Sequence, residues 1–451
     1  MKRQGQPSIL VVLAVVLVLA LSQSGWAQFN FTTNNGAITI TGYSGAGGNV
    51  IIPGTTNGFL VTAIGANAFY NKATLTNVTF PNSIISIGDF AFANCTNLTG
   101  ITLSNSLTSI GNWAFNSCYS LSSIGFPNSV TNIGNSSFAW CTNLTSIAIP
   151  NGVTVVMDSA FYKCSSLTNI TIPNSVTNIM RYAFSGCTGL TSITIPTNVT
   201  SLGEGVFYEC SGLTNVTIPS SVSYIGDYLF QSCNSLTDVT LPNSIKNIGN
   251  YMFRFCGSLT SVTIPKSVTS IGGSAFLGCS SLTNITIPDN VTNIGTWAFM
   301  NCTKLTGFTL GAKVASIGDY SFSWCSSLSA VYCLGDAPVA SSGLFNYSGS
   351  AIVYYLPGTT GWSTTFYSLP TAQWYQPQPQ ILGSRYGFGV KNNKFNFTIS
   401  WGTNTSVVVE ASTNLQNWTP VITNSLVNGT NAFSDSAYTN FSKRFYRVHS
   451  Q

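Results

Sequence analysis

Cys95, Cys118, Cys141, Cys164, Cys187, Cys210, Cys233, Cys256, Cys279, Cys302 and Cys325 each stand 23 residues after the one before. Three positions ahead of each is a phenylalanine, from Phe92 to Phe322, and three positions after each is a leucine, from Leu98 to Leu328. Phe69, Lys72 and Leu75 extend the register one unit earlier, with Lys in the Cys place, which makes twelve units. Chance does not repeat one spacing so many times. A fixed period of this length means stacked coils, each packed only against its neighbours.

The unit Leu259 to Cys279 shows why the period produces coils. Val262 and Ile264 alternate with Ser261 and Thr263, which predicts a short strand with one face inward. Pro265 ends it, because proline has no N–H for a ladder. Val268 and Ile271 anchor the returning segment, and Gly272 permits a bend. Ala275, Phe276 and Cys279 have helix-like spacing, so a short helical turn is expected there. One unit has too few apolar groups to offset the entropy of ordering its own backbone. Stacking removes the deficit, since each coil covers the faces of the next.

Composition agrees with a β-rich extracellular chain. Only 6% of residues are charged while 44% are hydrophobic. Residues 1–27 read as a secretory signal, with Lys2 and Arg3 ahead of the apolar run Ile9 to Leu21, and cleavage is expected after Ala27. That run is too short to span a bilayer, so no transmembrane helix is expected once it is removed. The net charge of +5 falls to +3 without Lys2 and Arg3, and the basic residues are scattered, which argues against nucleic acid as a partner.

The unit Leu-x-x-Ile-x-Ile-Pro-x-x-Val-x-x-Ile-Gly-x-x-Ala-Phe-x-x-Cys resembles the Treponema-type, BspA-like leucine-rich repeat of bacterial surface and secreted proteins. The flanks agree. Ile38 to Gly45 followed by Val50 to Pro53 looks like that family's N-terminal cap, and Val331 to Cys333 with Tyr354 to Pro357 looks like its closing segment. The likeness covers about residues 29–375, with departures from Ile-Gly at Val156-Met157 and Ile179-Met180. It implies a leucine-rich-repeat solenoid of α/β type, dominated by β structure, and a role in adhesion or surface recognition without specifying a partner.

After Gln376-Pro377-Gln378-Pro379-Gln380 the period is lost, and alternating stretches from Phe395 onward predict a small all-β sandwich-like domain. Val409 to Trp418, with Arg444 to Arg447, is similar to a C-terminal module of secreted planctomycete and verrucomicrobial proteins. The expected organisation is a signal peptide at 1–27, an N-terminal β cap at 28–60, the solenoid at 61–333, a closing segment at 334–375, a linker at 376–394 and the β domain at 395–451.

Few residues invite chemistry. There is no Cys-x-x-Cys, and the one histidine is His449, so neither a metal site, a cofactor site nor a Ser-His or Cys-His arrangement is expected. The cysteine ladder repeats with the apolar period and reads as buried free thiols, with disulfides as the alternative in a secreted chain. Asp89, Asp158, Glu204, Asp227 and Asp319 share one slot. Glu204 and Asp227, in adjacent coils, satisfy the separation of a retaining glycosidase pair. Asn112, Asn135 and Asn250 fill the same slot, however, which favours capping of a short helix.

Two rows are candidates for ligand contact. One is hydroxyl-rich and lies on the strands, with Thr171, Thr194, Thr217, Thr240 and Thr263 at its centre. It reads either as a sugar- or protein-binding face or as a solubilising coat. The other stands two residues before the repeated Phe: Phe90, Trp113, Tyr182, Tyr228, Tyr251, Trp297 and Tyr320. It reads either as a contact surface or as a stack bracing successive coils. The expected function is recognition or adhesion without catalysis, by a monomer whose partner is an extracellular protein or a polysaccharide. A structural coat or spacer is the alternative, and a carbohydrate-active enzyme a remote one.

Overall fold

The computed structural model describes residues 28–341, 343–374, 380–382, 387–401, 405–427 and 429–450. The signal-peptide reading lies outside them, as does most of the Gln-Pro segment. The chain divides into two compact units, Met1–Ile245 with Gly249–Val262, and Lys246–Ile248 with Thr263–Gln451.

The first unit begins with a hairpin. Phe29–Asn34 runs antiparallel to Ala37–Tyr43, and Asn35 and Gly36 make the turn with φ of 51° and 77°. Ala37–Tyr43 then pairs in parallel with Phe59–Ile64, which starts a column continued by Ser86–Ile87, Ser109–Ile110 and Asn132–Ile133. The same column position recurs at Val155–Val156, Asn178–Ile179, Ser201–Leu202 and Tyr224–Ile225. A second column carries the Thr row, as in Ser146–Ala148 on Asn169–Thr171 and Asn215–Thr217 on Asp238–Thr240. Each partner lies one repeat on, with Ile147 facing Ile170 and Val216 facing Val239. The register is therefore the period itself: any slip would turn the buried Ile and Val outward.

Inside the coils a phenylalanine spine runs through a core of buried Leu, Ile, Val, Ala and Cys side chains. In the first unit, rings stack from Phe69 to Phe253, with centroids 4.8 Å apart at Phe69–Phe92 and 5.7 Å at Phe161–Phe184. The second unit has its own run, Phe276–Phe299–Phe322, at 4.9 and 5.1 Å. The cysteines are buried beside the spine as free thiols. The Cys95 thiol donates to the Phe69 carbonyl of the preceding coil at 3.1 Å, and Cys164 to that of Phe138 at 3.1 Å.

The Ala-Phe-x-x-Cys segment is not the helical turn its spacing suggested. Phe90, Phe92 and Asn94 donate their backbone N–H groups to Asn112, Ala114 and Asn116 of the next coil, while Ala93 and Cys95 bond three residues back. Phe90 and Asn94 have φ of 56° and 60°, and this pair of left-handed residues four apart recurs along the coils. An α-helix needs right-handed φ throughout, so such residues hold the segment as consecutive turns. The helical segment among the described residues is the 3₁₀ turn Tyr438–Asn440.

In the second unit, Ala330–Cys333 pairs in parallel with Ile352–Tyr355, and that strand with Leu369–Gln373, so the closing segment adds coil-like strands. The C-terminal part is two small sheets. Lys394–Ser400 is flanked by Gln380–Leu382, Gly389–Lys391 and Thr430–Asp435, and Thr405–Ser412 lies between Thr419–Leu426 and Phe445–Ser450. Phe397, Ile399, Val407, Val409, Leu426 and Phe433 form the core between them. Two of these strands fall in the stretch expected as linker. Asn392 and Asn393, with φ of 52° and 56°, fold it back onto Lys394–Ser400.

Candidate functional site

The aromatic row sits on the left-handed turns. Phe90, Trp113, Tyr182, Tyr228, Tyr251, Trp297 and Tyr320 all have φ between 53° and 61°. Asn, Ser or Gly holds the same place elsewhere, at Asn67, Ser136, Ser159, Gly205 and Ser274. A β-carbon in this region crowds the following carbonyl, at a cost of roughly 1–2 kcal/mol per residue, and Gly and Asn are the usual occupants. Bulky rings at such positions go against local preference.

The rings serve in different ways. Trp113 stacks on Phe90 with centroids 4.9 Å apart and planes 6° from parallel, yet remains 38% exposed. Tyr228 and Tyr251 stack at 4.8 Å and are half-buried. The Tyr182 ring lies across Gly205, where a β-carbon would meet Tyr182 Cε1 at 2.4 Å, and its hydroxyl donates to Glu204 Oε1 at 2.7 Å. Burial, and then the neighbouring carboxylate, push the Tyr182 hydroxyl pKa upward. Trp297 and Tyr320 are among the exposed rings of the second unit.

A second row, missing from the sequence expectations, occupies the other left-handed position of the coils, one residue before the repeated Cys or, at Tyr347, before the Ser348 that takes its place. It contains Trp140, Lys163, Glu209 and Phe255 in the first unit and Trp324 and Tyr347 in the second. Trp140 and Phe255 are each 41% exposed, and Arg254 lies over the Phe255 ring at 4.5 Å. Lys163 reaches past Gly186 to an ion pair with Glu209 two coils on. The signal was present in the sequence: Asn, Ser and Gly alternate with aromatics at that place, as they do in the first row.

The threonines lie where expected. Thr171, Thr217 and Thr240 are exposed on strands, Thr171 in register with Ala148 and Thr217 with Thr240, and Thr194 and Thr263 are also exposed. The row that ties coils together is a different one, in which the Thr168 hydroxyl donates to the Thr145 carbonyl and Thr237 to Thr214, both at 3.1 Å.

The acidic slot caps across coils instead of capping a helix. Asp89 Oδ1 accepts from the Asn112 N–H at 2.7 Å, Asn112 Oδ1 from Asn135 at 2.9 Å, and Asp158 Oδ1 from Arg181 at 3.0 Å. Each donor belongs to the following coil, because the turn geometry directs those N–H groups along the stack. Glu204 faces back to Tyr182, while Asp227 faces forward and accepts from the Asn250 N–H at 2.8 Å. The two carboxylates point toward opposite neighbours and do not address a common point between them. Among the described residues no group of three or more His, Cys, Asp or Glu is placed to hold a metal ion, and no helix is long and apolar enough to cross a membrane.

Comparison with known proteins agrees with this architecture. The family model described as a BspA-type leucine-rich repeat region of six copies matches this chain over residues 62–188, 154–273 and 246–361. A leucine-rich cell surface protein from Faecalibacterium prausnitzii is 32% identical, with 68% of this chain and 94% of that one covered at a TM-score of 0.52. A leucine-rich repeat protein from Bacteroides ovatus is 29% identical, with 67% and 92% covered at 0.51. No curated protein matches the chain. The family and these neighbours are repeat proteins rather than enzymes. With its period, its two strand columns and its matched length, the chain belongs to the BspA-type leucine-rich repeat family.

Proposed function

We propose that this is a secreted or surface-displayed recognition protein, acting as a monomer, that binds an extracellular protein or polysaccharide through its turn-side aromatic rows without chemically altering it. The observation that carries this reading is the placement of large rings in left-handed backbone, exposed, where Asn or Gly would be easier to accommodate. Local strain retained against cheaper alternatives points toward a role beyond packing. Tyr and Trp are also the residues that concentrate binding energy in interfaces. The exposed Thr row supplies hydroxyls on the strand side. Residues 1–27 act in this reading as the export signal, and the strands from Gln380–Leu382 to Phe445–Ser450 as a β module.

The test is a combined binding and turnover screen with the secreted chain, starting at Gln28, against extracellular proteins and polysaccharides. Saturable binding with no released product, by a species that sediments as a monomer, is the expected result. Concentration-dependent assembly with no ligand would replace this reading with that of a structural coat. Released sugar or peptide would overturn it in favour of an enzyme. Mass measurement of the exported protein checks cleavage after Ala27.

A further inference from the structure

Four of the most exposed rings stand in three successive repeats of the second unit. Trp297 and Tyr320 belong to the first aromatic row and are 44% and 43% exposed. Trp324 and Tyr347 belong to the second row and are 48% and 73% exposed. Backbone bonds join the repeats in register, from the Trp297 N–H to Asp319 O at 2.9 Å and from Trp324 to Asn346 O at 2.8 Å. Trp324 and Tyr347 are in contact, with centroids 4.5 Å apart and planes tilted by 30°. Tyr320 is laid flat: a β-carbon on Gly343 would meet its Cε1 at 2.4 Å, so only glycine leaves room for the ring there. All four residues have φ between 56° and 61°, so each ring is held out on strained backbone.

The chemistry around the rings is neutral. Within 295–301, 318–324 and 343–347 the only carboxylate or basic side chain is that of Asp319. Asn301 and Asn346 are exposed at the margin and offer amide donors and acceptors. A protein partner would bring ionised groups that need countercharges, and this surface has almost none to offer. A neutral sugar polymer matches it better. The C–H faces of pyranose rings stack on aromatic rings, and hydroxyls pair with amides.

We propose that Trp297, Tyr320, Trp324 and Tyr347 form a stacking platform for an uncharged polysaccharide. The proposal rests on the recognition reading above and names its ligand class.

The test uses the whole exported chain and its Trp324→Asn and Tyr347→Gly variants. Asn301 and Gly278 hold the same slot in other coils, so both replacements suit the backbone. Probes are cellohexaose, xylohexaose, mannohexaose and chitohexaose, with polygalacturonate as the anionic control and a panel of deglycosylated extracellular proteins as the competing class. Binding is followed by calorimetry and by tryptophan emission. At least one neutral hexaose is expected to bind saturably, with tenfold or greater loss of affinity in each variant and a melting temperature unchanged or raised. A platform that merely braced the coils would instead lose stability and leave binding intact. The proposal is overturned if no neutral hexaose binds, or if binding survives both replacements. If a deglycosylated protein binds and the variants lose it, the glycan assignment falls while the recognition reading stands. If nothing binds the wild-type chain, both fall.

Discussion

A ring in left-handed backbone is an awkward choice, and the coils contain many of them. Phe255, with φ of 60°, shows the balance. Its conformation costs roughly 1–2 kcal/mol relative to a residue at ease there. Against that stands the partial burial of the ring beneath Arg254. Phe255→Asn is therefore expected to leave urea stability unchanged or raise it by about 1 kcal/mol. A loss well beyond that would mean the ring is structural. The acidic slot predicts the opposite sign. Asp227→Ala removes the acceptor for the Asn250 N–H at 2.8 Å, and should lower stability by about 1 kcal/mol in the same assay. Asp227→Asn keeps an acceptor and should recover most of it. The slot was legible in the sequence as a capping position, since Asp and Asn share it. The donor was not, because the spacing alone does not say that these N–H groups face the next coil.

At the scale of the element, the spine of Phe and Cys decides stability, and its burial was readable from the period alone. Phe161 stacks on Phe138 and Phe184 with centroids 5.7 Å away on either side. Phe161→Ala would leave a hole between two stacked rings, and a loss of about 3–5 kcal/mol is expected from denaturant titration. The thiols give a pH dependence. Burial pushes the Cys164 and Cys210 thiols from 9.0 up to about 12. Above pH 9 the unfolded chain gives up these protons while the folded chain keeps them, so the native state binds more protons and stability falls as pH rises. It is fully present below that pH. Urea midpoints should drop on the alkaline side, and the slope should flatten in a Cys141→Ala, Cys164→Ala, Cys187→Ala variant. An unchanged slope would mean other groups control it. What the period did not disclose was the shape of the turn. Phe and Cys three apart fit a helical turn and a pair of left-handed turns equally well, and the deciding clue was the Asn and Gly residues on either side. The Asn392-Asn393 hairpin was overlooked for the same reason, a turn signal inside a stretch expected to be extended.

At the scale of the whole chain, stability belongs to the contact between consecutive coils, because the spine, the thiol bonds and the cross-coil caps all run from one repeat to its neighbours. An array of this kind is sensitive to register and tolerant of length. Removing residues 165–187 joins Cys164 to Thr188 and deletes one full 23-residue unit. The coil of Phe207 then falls on the coil of Phe161, ring on ring, with Val156 and Leu202 inward on the strands brought together. Such a deletion should give a protein that still unfolds in one cooperative step, with a modest fall in melting temperature. Removing only residues 165–175 shortens one coil by eleven and places Phe184 out of line with Phe161. Because Ser201–Leu202 and Tyr224–Ile225 are each paired to the strand before them at one fixed offset, the mismatch cannot be absorbed locally. Loss of near-ultraviolet dichroism and of cooperative melting is expected for that variant, measured beside the full-unit deletion. If both deletions behaved alike, the nearest-neighbour account would fail, and the hydrophobic spine would have to be regarded as a fluid core instead of a register of matched coils. The same reasoning explains why the ligand is harder to infer than the fold. Period and burial recur in every unit, and repetition makes them plain. The rings that break the Asn, Ser and Gly pattern do so in particular units only, and their meaning depends on which of them fall side by side.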